Sequence, residues 1–219
     1  MTYREPDEIA NHAKNHKMLF MVSCGRDCAV MLDLMSKKMD LKAHSFVTWS
    51  YYPKLLPYVA RYISCLENRY GIQIASAMMP QVVNENEAEK VKQHLDEFGC
   101  EYSVWGFRMD ESLQRRGMLN KLENGIDETM KRCYPLRSYT KRYISAYCRQ
   151  NRVPLSQEYG CGFSRDFRTH RGNRSYLLRH FISEEDYQAA IAQCPEVEID
   201  YIRCCNDKKF LEKLYGKQG

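Results

Sequence analysis

No apolar run in the 219 residues approaches the ~20 that cross a bilayer as a helix; the longest candidate, Met18 to Val22, is strand-sized and is followed at once by polar residues. No membrane partner is therefore expected. The first eight residues, Met1 to Glu8, lack the apolar core of an export signal, so the expected location is the cytoplasm. C-x-x-C is missing as well. The ten cysteines include one C-x-x-x-C, Cys24 and Cys28, and one adjacent pair, Cys204 and Cys205, with singles elsewhere, so no metal site is expected from spacing. There is no internal repeat, low-complexity tract or long linker, and the length excludes two large domains.

What is present is the balance of one globular domain, 44% hydrophobic and 28% charged. Without a secretory context the cysteines read as reduced thiols. Cys65, Cys100, Cys148 and Cys194 are expected to be small buried hydrophobes. The net charge of +5 is unevenly spread. From Lys131 to Ile182, twelve Lys or Arg face two acids, Glu158 and Asp166, a local +10 that leaves −5 for the remainder. Such a segment suits a polyanion, either a nucleotide or a nucleic acid; a solvated basic face is the other reading.

The order of elements points to an α/β fold. A helix over Glu5 to His16, opened by Pro6 and acids, precedes a buried strand over Lys17 to Val22. A glycine turn, Ser23 to Asp27, then leads into an apolar helix containing Ala29 to Met35. The alternation continues with strands at Ala43 to Thr48, Ile72 to Met78 and Glu101 to Trp105, separated by helices over Lys54 to Tyr70 and Asn84 to Phe98. Ser138 to Asn151 reads as a helix packed through Tyr143, Ile144, Tyr147 and Cys148. A helix start at Ser183 and a short helix over Lys208 to Leu214 follow. This alternation implies a mostly parallel sheet covered by helices on both faces.

Ligands in such sheets bind beyond the carboxyl ends of strands, where the first end carries Ser23, Cys24, Gly25, Arg26, Asp27 and Cys28. The turn offers close backbone approach at Gly25, amide donors and a positive dipole end at the following helix, and a charged fork at Arg26. A second cluster, Gly106 to Arg116, places Arg108, Glu111 and Arg115 around a loop entering a helix. These arginines can grip phosphate or sulfate, and Glu111 can orient a guanidinium or a ribose hydroxyl.

The first turn resembles the S-G-G-x-D-S pyrophosphate loop (PP-loop) of adenine nucleotide alpha hydrolases. Gly106 to Arg115 is similar to the G-x-R-x-x-E-S-x-x-R motif of the phosphoadenosine phosphosulfate (PAPS) reductase branch. Tyr134-Pro135-Leu136 to Thr140 resembles that branch's Y-P-L-x-x-W-T segment, and Val153-Pro154-Leu155 with Tyr159 to Gly162 continues the order. The resemblance covers about residues 17 to 163. It implies a Rossmann-like three-layer α/β/α domain over residues 1–165, with a basic, mainly helical extension over 166–219. The implied ligand is ATP or a sulfonucleotide such as PAPS, held by Ser23, Cys24, Gly25, Arg26, Gly106, Arg108, Glu111 and Arg115, with Asp27 and Cys28 as the candidate catalytic pair.

The departures bear on chemistry. Cys24, Arg26 and Cys28 replace a small residue, lysine and serine; Cys28 is either a thiolate favoured by Arg26 and a helix N-terminus or an isostere of serine. The family's acidic D-T-G turn after the second strand is replaced by Val47 to Pro53, so magnesium is left open. Tyr201 to Lys208 carries cysteines, but neither the nucleophilic E-C-G-x-H segment nor the later C-x-x-C of the iron-sulfur versions, so no cluster is expected. Cys204 and Cys205 read as a mobile redox tail or as packing residues.

The function implied is sulfur or nucleotidyl transfer on an adenine nucleotide. One alternative is a nucleotide-binding module that has lost its chemistry. The other is an accessory enzyme of nucleic-acid sulfur modification, with Arg165, Arg168, Arg171 and Arg174 as anion contacts. A nucleic acid, a sulfur-carrier protein and a second copy of the chain are the partners to consider.

Overall fold

The computed structural model describes residues 3–50, 54–78, 87–156, 179–180, 182–207 and 211–212. Helix α1 (Glu5–His12) leads into strand β1 (Met18–Met21) and helix α2 (Arg26–Ser36). Strand β2 (Ser45–Ser50), helix α3 (Pro57–Tyr70), strand β3 (Ala75–Met78) and helix α4 (Glu87–Phe98) follow. Then come β4 (Tyr102–Val104), α5 (Leu113–Leu119), the two-residue strands β5 (Ile126–Asp127) and β6 (Arg132–Cys133), and α6 (Lys141–Gln150). Helices α7 (Glu184–Gln193) and α8 (Glu196–Asn206) complete the described elements.

The sheet runs β3-β2-β1-β4-β6-β5 and is parallel except for the β5/β6 pair. Phe20 pairs with Phe46 on one side of β1 and with Val104 on the other. All four β1 residues are buried, because helices cover both faces. Alternation along β1 divides the core in two. Met18 and Phe20 join Ile9, Val30, Ile63, Leu66, Ile144 and Tyr187 on one face. Leu19 and Met21 face Val91, Leu95, Trp105, Leu119 and Tyr134 on the other. The expected three-layer α/β architecture is therefore present, and Tyr187, Ala190 and Val197 bring α7 and α8 into the first layer.

Several local expectations are corrected. Helix α1 ends at His12, four residues early, because Lys14 and Asn15 close tighter i→i−3 turns onto Asn11 and His12. Cys65 is exposed and Cys194 only half-buried, whereas Cys100 and Cys148 are buried as expected. Cys65 lies on the solvent side of α3, whose core side is Tyr62, Ile63 and Leu66. Cys204 and Cys205 lie on helix α8, which turns Cys204 inward as a packing residue and leaves Cys205 exposed. Of the helix expected over Lys208 to Leu214, only residues 211 and 212 are described, both helical.

A buried carboxylate fastens three helices of the first layer. Asp33 on α2 accepts hydrogen bonds from Tyr147 Oη at 2.9 Å, Tyr70 Oη at 3.1 Å and Arg69 at 3.2 Å, and pairs with Lys37 Nζ at 2.8 Å. Burial pushes its pKa up, but the bonds from Lys37, Tyr147 and Arg69 outweigh that and hold it below the ordinary value.

Candidate functional site

Strand β1 lies between β2 and β4, so the chain leaves it toward β2 on one side while β4 returns on the other. The crevice beyond the carboxyl ends of β1 and β4 is the topological switch point, where open α/β sheets bind ligands. Residues 22–25 and 105–112 both emerge there.

The first turn is held by its own side chains. Ser23 Oγ accepts from the Gly25 N–H at 3.1 Å and donates to Cys28 Sγ at 3.0 Å, while the Cys28 thiol makes a weak bond to the Met21 carbonyl at 3.7 Å. Gly25 precedes α2 in an extended conformation, φ −72 and ψ 148, so glycine is not required there by a left-handed backbone. Having no side chain, it leaves the positive end of α2 uncapped toward the crevice. Arg26 and Asp27 form the first turn of that helix. Cys24 is fully buried in the first core layer, so its backbone is the part that can meet a ligand.

The second motif closes onto the first. A Cβ on Gly106 would stand 3.3 Å from the Cys28 nitrogen and 3.4 Å from both the Asp27 carbonyl carbon and Cys28 Sγ. Glycine lets the end of β4 approach the start of α2 this closely without displacing it, whereas a side chain would push the turn back by a few tenths of an ångström. Arg108 is 5% exposed, and its fork is engaged by carboxylates: Asp27 at 3.2 Å and Asp110 through a second terminal nitrogen. Glu111 stands farther off, 3.9 Å from Arg108 Nε and 3.8 Å from Arg115 Nε. Burial and then the charge of Asp27 raise the Glu111 pKa, against the lowering pull of the two arginines. Arg115 stacks its guanidinium 3.3 Å from the centroid of the Phe107 ring, and Ser112 caps α5 by accepting from the Arg115 N–H.

The Tyr134 to Thr140 segment props this loop. The Met109 N–H donates to the Arg137 carbonyl at 2.9 Å, and the Lys141 N–H donates to Asp110 Oδ2 at 2.6 Å. The Arg137 guanidinium points away from the crevice, to the Leu119 carbonyl at 2.8 Å and to Glu5 at 3.3 Å. Three landmarks far apart in sequence thus form one structure.

Residues 17–165 match the phosphoadenosine phosphosulfate reductase domain family. The chain belongs to that family. No curated protein matches it in sequence. Among solved structures it is similar to the Candida auris PAPS reductase in a phosphate complex, at 17% identity and a TM-score of 0.50, over 74% of this chain and 86% of that one. It is also similar to the Candida glabrata FMN adenylyltransferase with FAD and inorganic pyrophosphate, at 16% identity and a TM-score of 0.56, over 73% of this chain. Yeast FAD synthetase in complex with FAD gives 18% identity and a TM-score of 0.50 over 68% of this chain. The chain spans 58% of the adenylyltransferase and 55% of the synthetase. At these identities the likeness is one of fold.

As a PAPS reductase family member, the chain differs where β2 ends. Trp49 fills the region where the family pattern leads into an acidic turn; it is 8% exposed and meets Trp105 edge to face at 6.0 Å. Among the described residues no group of three or more His, Cys, Asp or Glu is arranged to hold a metal ion, and no helix is long and apolar enough to cross a membrane. Arg165, Arg168, Arg171 and Arg174, and the Tyr159 to Gly162 landmark, lie outside the described residues. A cavity of about 590 Å³ opens at the other end of the sheet, by Lys42, His44, Glu67 and Phe98 at the starts of β2 and β3, remote from both motifs.

Sequence reasoning missed Asp110, Phe107 and Lys141. Asp110 and Phe107 fall at variable positions of the motif, and the role of Lys141 is a backbone amide, which no residue type announces.

Proposed function

We propose that this PAPS reductase family member binds an adenine nucleotide, ATP or a sulfonucleotide, at the β1/β4 switch point and carries out sulfur or nucleotidyl transfer on it. The observation carrying this reading is the junction of the two motifs, with Gly106 against the start of α2 and Arg108 against Asp27. The amide end of α2 receives the phosphates, Arg26 and Arg115 supply charge at the rim, and Arg108 holds Asp27, Asp110 and Glu111 in register around it. One donor there suits an anion: Arg108 Nε has no hydrogen-bond partner within the protein. Cys28 supports the loop as an isostere of serine, and the basic residues between Lys131 and Ile182 are the candidate contacts for a polyanionic partner, residues 166–219 as a whole being balanced with nine Lys or Arg and nine Asp or Glu.

Calorimetry with ATP and PAPS tests binding, which is expected to be saturable in the wild type and lost in Arg108→Ala. Release of pyrophosphate from ATP, or of sulfite from PAPS when a thiol reductant is supplied, identifies the transfer class. Binding without either product would leave a module devoid of chemistry.

A further inference from the structure

We infer that nucleotide binding at this crevice is coupled to the uptake of one proton by Glu111; the inference rests on the nucleotide reading above. The charge balance of the empty cluster motivates it. Within the ion-pair cluster two guanidiniums, Arg108 and Arg115, are shared among three carboxylates, Asp27, Asp110 and Glu111. A phosphate chain entering beside α2 adds two or more negative charges next to Asp27 and Glu111. Both terminal nitrogens of Arg108 are already committed, to Asp27 and to Asp110.

The three carboxylates are not equivalent. Asp27 is bonded to Arg108, and Asp110 is bonded to Arg108 and to the Lys141 amide. Glu111 stands 3.8 to 3.9 Å from the two guanidiniums, beyond hydrogen-bond reach of either, and draws its hydrogen bonding from the Arg108 backbone instead. The charged groups around it are Asp27 on α2, with Arg26 in the same turn, Arg108 and Asp110 in its own loop, Arg115 on α5 and Lys141 on α6. Burial and Asp27 already oppose its ionisation. Additional negative charge therefore falls on Glu111, the carboxylate of the three that no guanidinium holds by a hydrogen bond. As a neutral acid, Glu111 gains an O–H to donate to a phosphate oxygen or to the unpartnered Oδ1 of Asp27. The same event lets Arg108 and Arg115 turn from Glu111 toward the ligand.

The linkage has a definite sign. Because the bound state holds Glu111 protonated at a pH where the free state has lost the proton, affinity falls as pH rises between the two pKa values, by about tenfold per pH unit. Magnesium-free titration with ATP and with PAPS, in two buffers of widely different ionisation enthalpy, counts the protons. The wild type is expected to take up close to one proton more than Glu111→Gln, whose side chain is permanently neutral. The affinity of the variant is expected to vary with pH only as the nucleotide's own phosphate titrates. Equal proton counts and parallel pH profiles in the two proteins would overturn the inference while leaving nucleotide binding intact. No binding of either nucleotide to the wild type at any pH would overturn both readings.

Discussion

Arg108 reaches across 81 residues of sequence to place a terminal guanidinium nitrogen 3.2 Å from Asp27 Oδ2. Through this contact the loop after β4 fixes the first turn of α2, and the arginine itself is 5% exposed. Arg108 is thus first a positioning residue for the carboxylates around it.

Removing it leaves Asp27 and Asp110 without their shared cation. Arg108→Ala is expected to cost about 3–5 kcal/mol of stability, the range for one half of a buried pair, and to abolish nucleotide binding. Arg108→Lys keeps the charge but loses the fork that holds two carboxylates at once, so it should fold better than the alanine variant and still bind weakly. Urea unfolding and calorimetry on both variants check this.

Gly106→Ala puts a methyl group against backbone atoms of Asp27 and Cys28 at 3.3 to 3.4 Å. The protein must shift the start of α2, at an expected cost of about 1–3 kcal/mol. Nucleotide affinity should fall further than stability alone would predict, because the displaced atoms are those of the binding turn. Thermal melts with and without ATP separate the two effects.

Glu111 and Asp33 make opposite predictions for pH. Glu111 has a folded pKa raised above its ordinary value, so its contribution to stability is complete below that value and is lost as pH rises through the folded pKa. In the absence of nucleotide, Glu111→Gln should therefore melt higher than the wild type at pH 7.5, with the difference disappearing near pH 4. Asp33 has a folded pKa held below the ordinary 3.8, so its contribution is present above that value and is lost as pH falls. Asp33→Asn should destabilise by about 3 kcal/mol at neutral pH, with the deficit closing in acid. Melting curves from pH 3 to 8 test both signs.

Cys28→Ser separates the two readings of the loop thiol. The sulfur accepts from Ser23 and donates only a long bond to the Met21 carbonyl, and serine can make both bonds. Nucleotide affinity is expected to stay within about threefold and product release to persist. Loss of product with binding retained would make Cys28 a nucleophile.

Much of this was legible in the sequence because it depended on local pattern. The apolar run Met18 to Val22, the glycine turn and the alternation of strands and helices foretold β1, α2 and the parallel sheet, and the fold rule then pointed to the candidate site. Residues Ser23 to Cys28 and Arg108, Glu111 and Arg115 were named from motif chemistry, and they converge. What was hidden depends on three-dimensional partnership. Strands β5 and β6, two residues each, are too short to show a period, and the left-handed Gly125 beside the Tyr134 carbonyl announces nothing by itself. Nothing local marks Asp33, whose four partners come from α2, α3 and α6. The engagement of Arg108 by Asp27 and Asp110 was equally invisible, because it joins residues 81 positions apart.

A crystal structure of the protein with ATP or PAPS bound tests the central claim most directly. The account predicts phosphate oxygens within hydrogen-bond distance of the backbone amides at the start of α2, with Arg108 or Arg115 alongside. Phosphates lodged instead beside Lys42 and His44 at the opposite end of the sheet would contradict it.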